Sequence, residues 1–132
     1  MSRTDIKNSI SVVSSLAPAS RTAAVDGTGV DLAGFDAACI VIDAGASGGT
    51  TPSFTFEVQD SPDNSTYTAV AAEFLDGTEP VVTTDTDNAV YEIGYRGIAR
   101  YVRVTIEAAT GTSPTLVCAA SVVRGKARKY PA

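Results

Sequence analysis

The sequence predicts an all-β chain, a single antiparallel β-sandwich of jelly-roll-like type with an extended N-terminal arm. Three observations predict it. Short apolar segments rich in Val, Ile, Phe and Tyr recur along the 132 residues; clusters of Gly, Pro, Asn, Asp and Ser separate them; and no segment reads as a long helix. Seven or so strands without βαβ alternation fit two packed antiparallel layers. A chain of this length suits one domain, which buries about two-thirds of the surface its unfolded chain exposes.

Residues 1–20 mix Ser, Thr and Asn with scattered apolar residues and read as an arm; residues 21–125 read as the sandwich and 126–132 as a basic tail. Val12, Val13 and Leu16 are too few for the apolar core of a secretory signal. Cys39 to Ile42 is a short apolar run that suits a buried strand, and the Gly- and Ser-rich stretch from Asp43 to Pro52 reads as a turn. Phe54, Phe56 and Val58 alternate with Thr55, Glu57 and Gln59, the period-two pattern of a half-buried strand. Asp60 to Ser65 is a turn by composition and leads into a strand around Tyr67 to Val70. Ala71 to Leu75 has room for one or two helical turns before Gly77.

Further strands are predicted at Val81–Thr84, Val90–Ile93, Tyr101–Ile106 and Leu116–Val123, with a turn at Thr110–Pro114. In the last two, Val102, Val104, Ile106, Leu116 and Cys118 share the core face with Phe54, Phe56 and Val58. Tyr101, Arg103 and Thr105 point the other way, to a candidate contact surface. Cys39 and Cys118 both fall in apolar segments and are expected to be reduced core thiols, with a disulfide as the alternative.

Charge is distributed unevenly. From Thr22 to Tyr95 there are 74 residues without Lys or Arg, and 13 of the 15 acids lie there. All ten basic residues sit outside it. Basic ends on an acidic body suit docking onto an acidic partner, so Arg3, Lys7, Arg21, Arg100, Tyr101, Arg103, Arg124, Lys126, Arg128 and Lys129 are the candidate partner-binding residues. The alternative is that the acidic loops serve solubility alone.

Catalytic chemistry finds no footing. With no His, Ser-His-Asp and Cys-His nucleophile pairs and His-based metal sites are excluded, and an enzyme is not expected. Asp85, Asp87 and Asn88 lack the Gly and distal Glu of an EF-hand loop and read as a self-capped turn. Gly45, Gly48 and Gly49 are not followed by the Lys and hydroxyl of a phosphate loop. Neither cofactor nor metal is expected. The four cations between Arg124 and Lys129, without a groove-reading helix or stacked aromatics, point to a protein partner and not to nucleic acid. No apolar run is long enough to span a bilayer, so no membrane partner is expected either.

Two stretches resemble known families. Phe54 to Val70 (FTFEVQDSPDNSTYTAV) with Arg100 to Ile106 (RYVRVTI) resembles discoidin-like, galactose-binding jelly rolls, although the Trp of that family's turn has no counterpart in a chain without Trp. This resemblance implies a carbohydrate-binding or host-adhesion module, with a glycan as ligand.

The second resemblance spans most of the chain. It is carried by Arg21 to Ala23, Gly29 to Gly45 (GVDLAGFDAACIVIDAG), Gln59 to Val70, Tyr91 to Val104 (YEIGYRGIARYVRV) and Val122 to Pro131 (VVRGKARKYP). The order is similar to small structural proteins of tailed bacteriophages, several of which decorate the head as capsid cement proteins. It implies a structural protein of the virion on the outer surface of the head, made in the host cytoplasm. Its implied partners are the major capsid protein and itself, as a homo-trimer or dimer. A neck or tail position is the variant of the same reading.

Overall fold

A computed structural model describes residues 3–129 and Pro131. The chain is all-β and antiparallel, as predicted, and its nine strands form one continuous sheet. Two long strands organise it. Strand β4 (Phe35–Ser61) pairs with β9 (Tyr101–Ala127) along their whole lengths, from Phe35 opposite Ala127 to Ser61 opposite Tyr101. The result is a two-stranded ribbon that bends once and folds over itself.

The bend lies where the sequence suggested two turns. Around Ala44–Ser53 and Thr110–Leu116 the register slips repeatedly, and φ is positive at Gly49, Thr51, Gly111 and Ser113. Gly49 (φ 93°) and Gly111 (φ 116°) are required here, since a Cβ would fall 2.4 Å from the Ser113 carbonyl and 2.6 Å from the Thr51 carbonyl. The turn-forming composition is therefore spent on a corner, where bulges re-aim both strands without breaking their pairing.

Layer one holds the first half of β4 and the second half of β9. Strand β1 (Ser11–Arg21) pairs with β9 on one side; β8 (Ala89–Tyr95) and then β6 (Leu75–Asp76) follow on the other. Layer two holds the remaining halves, with β2 (Val25–Asp26) and β3 (Val30–Asp31) on β9, and β5 (Thr68–Ala69) and β7 (Val81–Thr83) on β4. Even-numbered residues of β4 and β9 face inward on both sides of the corner. Ile40, Ile42, Leu116, Ala120 and Val122 from layer one thereby join Phe54, Phe56, Val58, Val102, Val104 and Ile106 from layer two in one buried cluster. All eight predicted core residues belong to it, Cys118 included.

Both open sides of the sandwich are laced. On one, Thr28 N–H donates to the Ser15 carbonyl at 2.7 Å and Gly27 N–H to the Val104 carbonyl at 3.0 Å. On the other, the chain leaves layer two after β5, makes the 3₁₀ turn Ala72–Phe74, pairs with β8 through β6 and returns as β7. The Tyr95 hydroxyl also crosses, donating to the Asp60 carboxylate at 2.7 Å.

The proposed domain limits shift at both ends. Ser11–Ser20, predicted as arm, forms with Arg21 an edge strand in register with Leu116–Arg124, and Leu16 is buried. Its weak period has a physical cause: two register shifts, before and after Leu16, let both Ser15 and Leu16 turn inward. Exposed Pro18 is tolerated because an edge strand need not donate on its free side. Among the described residues only 3–10 lie ahead of the sheet. At the other end β9 runs to Ala127, so Lys126 and Ala127 are strand and not tail.

Candidate interaction surfaces

The candidate basic residues do not form one patch. Five of them are held by groups of the same molecule, four on or beside β9 and Arg21 near the corner. Arg100 makes a two-pronged pair with Asp31, Nε to Oδ1 and Nη2 to Oδ2, both 2.9 Å. Its hydrogen bonds, helped by the Ala33 N–H, hold the Asp31 carboxyl down at about 2. Arg128 binds Asp36 at 2.7 Å. Arg103 donates twice to Gln59 Oε1, lies 3.8 Å from Asp26 and stacks on the Tyr67 ring at 4.0 Å. Arg124 lies over Phe35, its Nη1 on the Asp31 carbonyl and its Nη2 on Ser11 Oγ.

The charge segregation of the sequence is thus partly undone by folding. Asp26, Asp31 and Asp36 come from the acidic middle, and register brings β2, β3 and the start of β4 against β9 with its arginines. Arg21 donates to the Ala17 carbonyl at the corner end of the sandwich, far from the C-terminal cations. Arg3, Lys7, Lys126 and Lys129 are exposed, and no ion pair is formed by them among the described residues. Lys7 sits in a 3₁₀ turn (Lys7–Ser9) against β9, so Lys7, Lys126 and Lys129 gather at the end where β4 begins and β9 finishes.

Three surfaces follow from this arrangement. The outer face of layer two is polar and preorganised: Glu57 accepts from Gln59, Gln59 from Arg103, and the Tyr67 hydroxyl donates to Asn64. Burial pushes the Tyr67 phenol up, so it remains a donor. Tyr101 and Arg103 are half-buried on this face, as predicted. Thr105 is buried, flanked in the sheet by Asp26 of β2, a two-residue strand with no signal in the sequence, and its hydroxyl donates to the Glu57 carbonyl.

The second surface is a cleft of about 500 Å³ between the β3–β4 and β8–β9 loops. Leu32, Phe35 and the fully exposed Ile98 supply its apolar part, and the Arg100–Asp31 and Arg128–Asp36 pairs flank it.

The third is the outer face of layer one, laid out in rows by register. Val12, Val123, Cys39 and Gly94 form one row; Ser14, Ser121, Val41 and Glu92 the next; Ala119, Asp43 and Val90 a third. None of these positions is Lys or Arg. Val12 is 56% exposed, Val90 61% and the neighbouring Val117 52%, values that leave much of this valine surface in water. Cys39, expected in the core, lies on this face, half-buried, because it is odd-numbered in a strand whose even residues point inward. Cys118 points to the core, so the two thiols sit on opposite faces and both are free.

Among the described residues no three Cys, Asp or Glu side chains gather as a metal site, and no helix is long and apolar enough to cross a membrane. Comparison with protein-family models, with characterised proteins and with solved structures finds no match to this chain.

Proposed function

We propose that this chain is a capsid decoration protein of a tailed bacteriophage, bound to the outer surface of the head and reinforcing the shell. The observation that carries the reading is the combination of a body laced along both open sides with an exposed valine face on one layer and a cation-bearing end. Such a body serves as a rigid clamp between neighbouring subunits, a role that needs shape and docking surfaces and no reactive group. The resemblance of Gly29–Gly45, Tyr91–Val104 and Val122–Pro131 to phage structural proteins supports the same assignment, with the major capsid protein and further copies of the chain as partners.

The test is direct. Particles stripped of the protein are incubated with purified chain, and bound copies are counted by quantitative gel and cryo-electron microscopy. Saturable addition in fixed ratio to the capsid protein, with a raised disruption temperature of the particle, is expected. Binding to the neck or tail alone would relocate the protein, and no binding would refute the reading.

The Arg103–Gln59–Glu57 array beside Tyr67 favours one second reading, a glycan-binding adhesion module of the virion, since sugars are held by fixed polar side chains next to an aromatic ring. Glycan-array binding abolished by Arg103→Ala, together with absence of shell binding, would select it.

A further inference from the structure

The geometry points to a second copy of this chain as the occupant of the outer face of layer one, packed sheet on sheet in a two-fold dimer with antiparallel strands. The inference deepens the capsid reading, whose valine face, lysines and further copies of the chain it uses; a free chain that stays monomeric refutes the interface alone, and particles that bind no chain refute the capsid reading alone.

A sheet face kept in water ordinarily alternates polar residues with the core residues beneath them. The outer face of layer two obeys that rule, with Glu57, Gln59 and Arg103. The outer face of layer one departs from it with Val12, Val41, Val117 and Val123 and small Ser, Ala and Gly side chains across β1, β9 and β4, its carboxylates being Asp43 toward the corner and Glu92 and Asp76 toward the β8–β6 edge. Small and β-branched side chains make a flat surface, which suits face-to-face packing of sheets about 10 Å apart.

Four strands spaced about 4.8 Å apart and roughly nine residues long at about 3.3 Å each present on the order of 570 Å² per copy. Two copies bury about 1,100 Å², just above the roughly 1,000 Å² that a specific interface needs.

Charge then selects the orientation. One end of layer one carries exposed Lys7, Lys126 and Lys129. The corner end carries Asp43 on the face, with Asp85 and Asp87 in the turn tied to it by Asn88 N–H on the Gly45 carbonyl and by Asp87 on Ser47. The cation at the corner end, Arg21, is turned to the Ala17 carbonyl. A two-fold axis running across the strands over the central row places each basic end on the other copy's acidic end. An axis along the strands would set lysines on lysines. Only the first arrangement brings opposite charges together at the two ends, as a two-fold contact requires, and it sets exposed Glu92, at the β8 side of the central row, over its own counterpart. Ser121 and Val41, in the same row, then also lie over their own counterparts.

Sedimentation equilibrium of the purified chain from 1 to 100 µM at low salt is expected to give a mass twice the 13.5 kDa of one chain, weakening as salt rises. Val41→Glu, and the more exposed Val117→Glu should the first variant fold poorly, are expected to raise the dissociation constant at least tenfold. Thr55→Glu on the opposite outer face should leave it unchanged. Lys126→Glu with Lys129→Glu should weaken the dimer, and adding Asp43→Lys and Asp85→Lys in the same chain should restore it. Ser121→Cys should form a disulfide between copies on mild oxidation. A monomer at 100 µM, or a dimer indifferent to both valine substitutions, overturns the interface. Failure of the charge swap to restore, or of Ser121→Cys to cross-link, overturns the orientation.

Discussion

The Ser15 hydroxyl accepts the Val104 backbone N–H at 2.9 Å and donates to the Thr28 carbonyl at 2.9 Å, tying the edge strand of one layer to the inner strand of the other. Ser15 is buried, so neither backbone group finds water if the hydroxyl is removed. Ser15→Ala is expected to cost about 1–3 kcal/mol, the range for leaving a buried donor or acceptor unsatisfied. Urea unfolding monitored by circular dichroism reads it as a lower midpoint at unchanged slope. An unchanged midpoint would mean that the lacing contributes nothing to stability.

The same contact separates two truncations. A chain starting at Ser11 keeps β1 whole and is expected to melt within a few degrees of the full chain. A chain starting at Ala19 loses Ser15, buried Leu16 and the pairing of Ser11–Ser14 with Ser121–Arg124, and is expected to be largely unfolded. Thermal melts of the two proteins decide. A folded chain from Ala19 would restore the view of residues 1–20 as a dispensable arm.

How much of this was legible in the sequence depended on local period. Phe54, Phe56, Val58 and Val102, Val104, Ile106 alternate cleanly, so their strands, inner face and burial were readable. Ser11–Arg21 was not, because its two bulges break the alternation that identifies a strand. The corner was read as two turns, since Gly49 and Gly111 carry the same local signal whether a chain reverses or bends while still paired. The acidic middle and basic ends were visible, but the Arg100–Asp31 and Arg128–Asp36 pairs span 69 and 92 positions. Only the register of β4 and β9 reveals them. The face of small residues and valines on layer one was hidden for the same reason: it exists only when four strands are laid side by side.

Two carboxyls give stability opposite pH slopes. The Arg100 hydrogen bonds hold Asp31 at about 2, below the roughly 3.9 of an unfolded chain, so its contribution is complete above about pH 4 and is lost as pH falls toward 2. Glu79 is raised by burial, partly offset by the Val58 N–H it accepts. The folded state therefore binds its proton more readily than the unfolded chain, and its ionisation withdraws stability as pH rises through the raised value. Carboxyl-carbon NMR titration should show Asp31 as an early-ionising group that moves toward the ordinary range in Arg100→Gln, with Glu79 late and unmoved. An Asp31 titration identical in both proteins would show that the ion pair does not persist in solution.

Thiol chemistry should separate the two cysteines. Cys39 is half-buried on the outer face of layer one and Cys118 is buried in the core; burial pushes both thiols up. In native buffer at pH 8 an alkylating reagent is expected to modify one thiol slowly and the second only after unfolding, as counted by mass spectrometry. Peptide mapping should assign the first to Cys39. Protection of Cys39 that grows with protein concentration would accord with a partner on that face, whereas equal labelling of both thiols would contradict the inward and outward assignment.

The C-terminal cations should divide into one structural group and one free pair. Arg124 lies over Phe35 and donates to the Asp31 carbonyl at 3.0 Å and to Ser11 Oγ at 2.6 Å, joining β9, β3 and β1, so Arg124→Ser removes packing and two charge-assisted bonds at once. It is expected to cost about 1–3 kcal/mol. Lys126 and Lys129 are exposed and form no ion pair among the described residues, so at concentrations low enough to keep the chain monomeric Lys126→Ser with Lys129→Ser should leave the stability within about 0.5 kcal/mol of the parent. On particles, that double variant isolates the electrostatic part of attachment: lower occupancy with a flatter salt dependence is expected if this end meets an acidic shell. Neutralising the exposed Glu73 and Asp85 instead, with Asp60 left to hold Tyr95 and Asp63 and Asp87 to hold their turns through Thr66 and Ser47, should change neither occupancy nor its salt slope. A larger loss from the acidic pair would turn the molecule over on the shell, with its acidic loops as the docking surface.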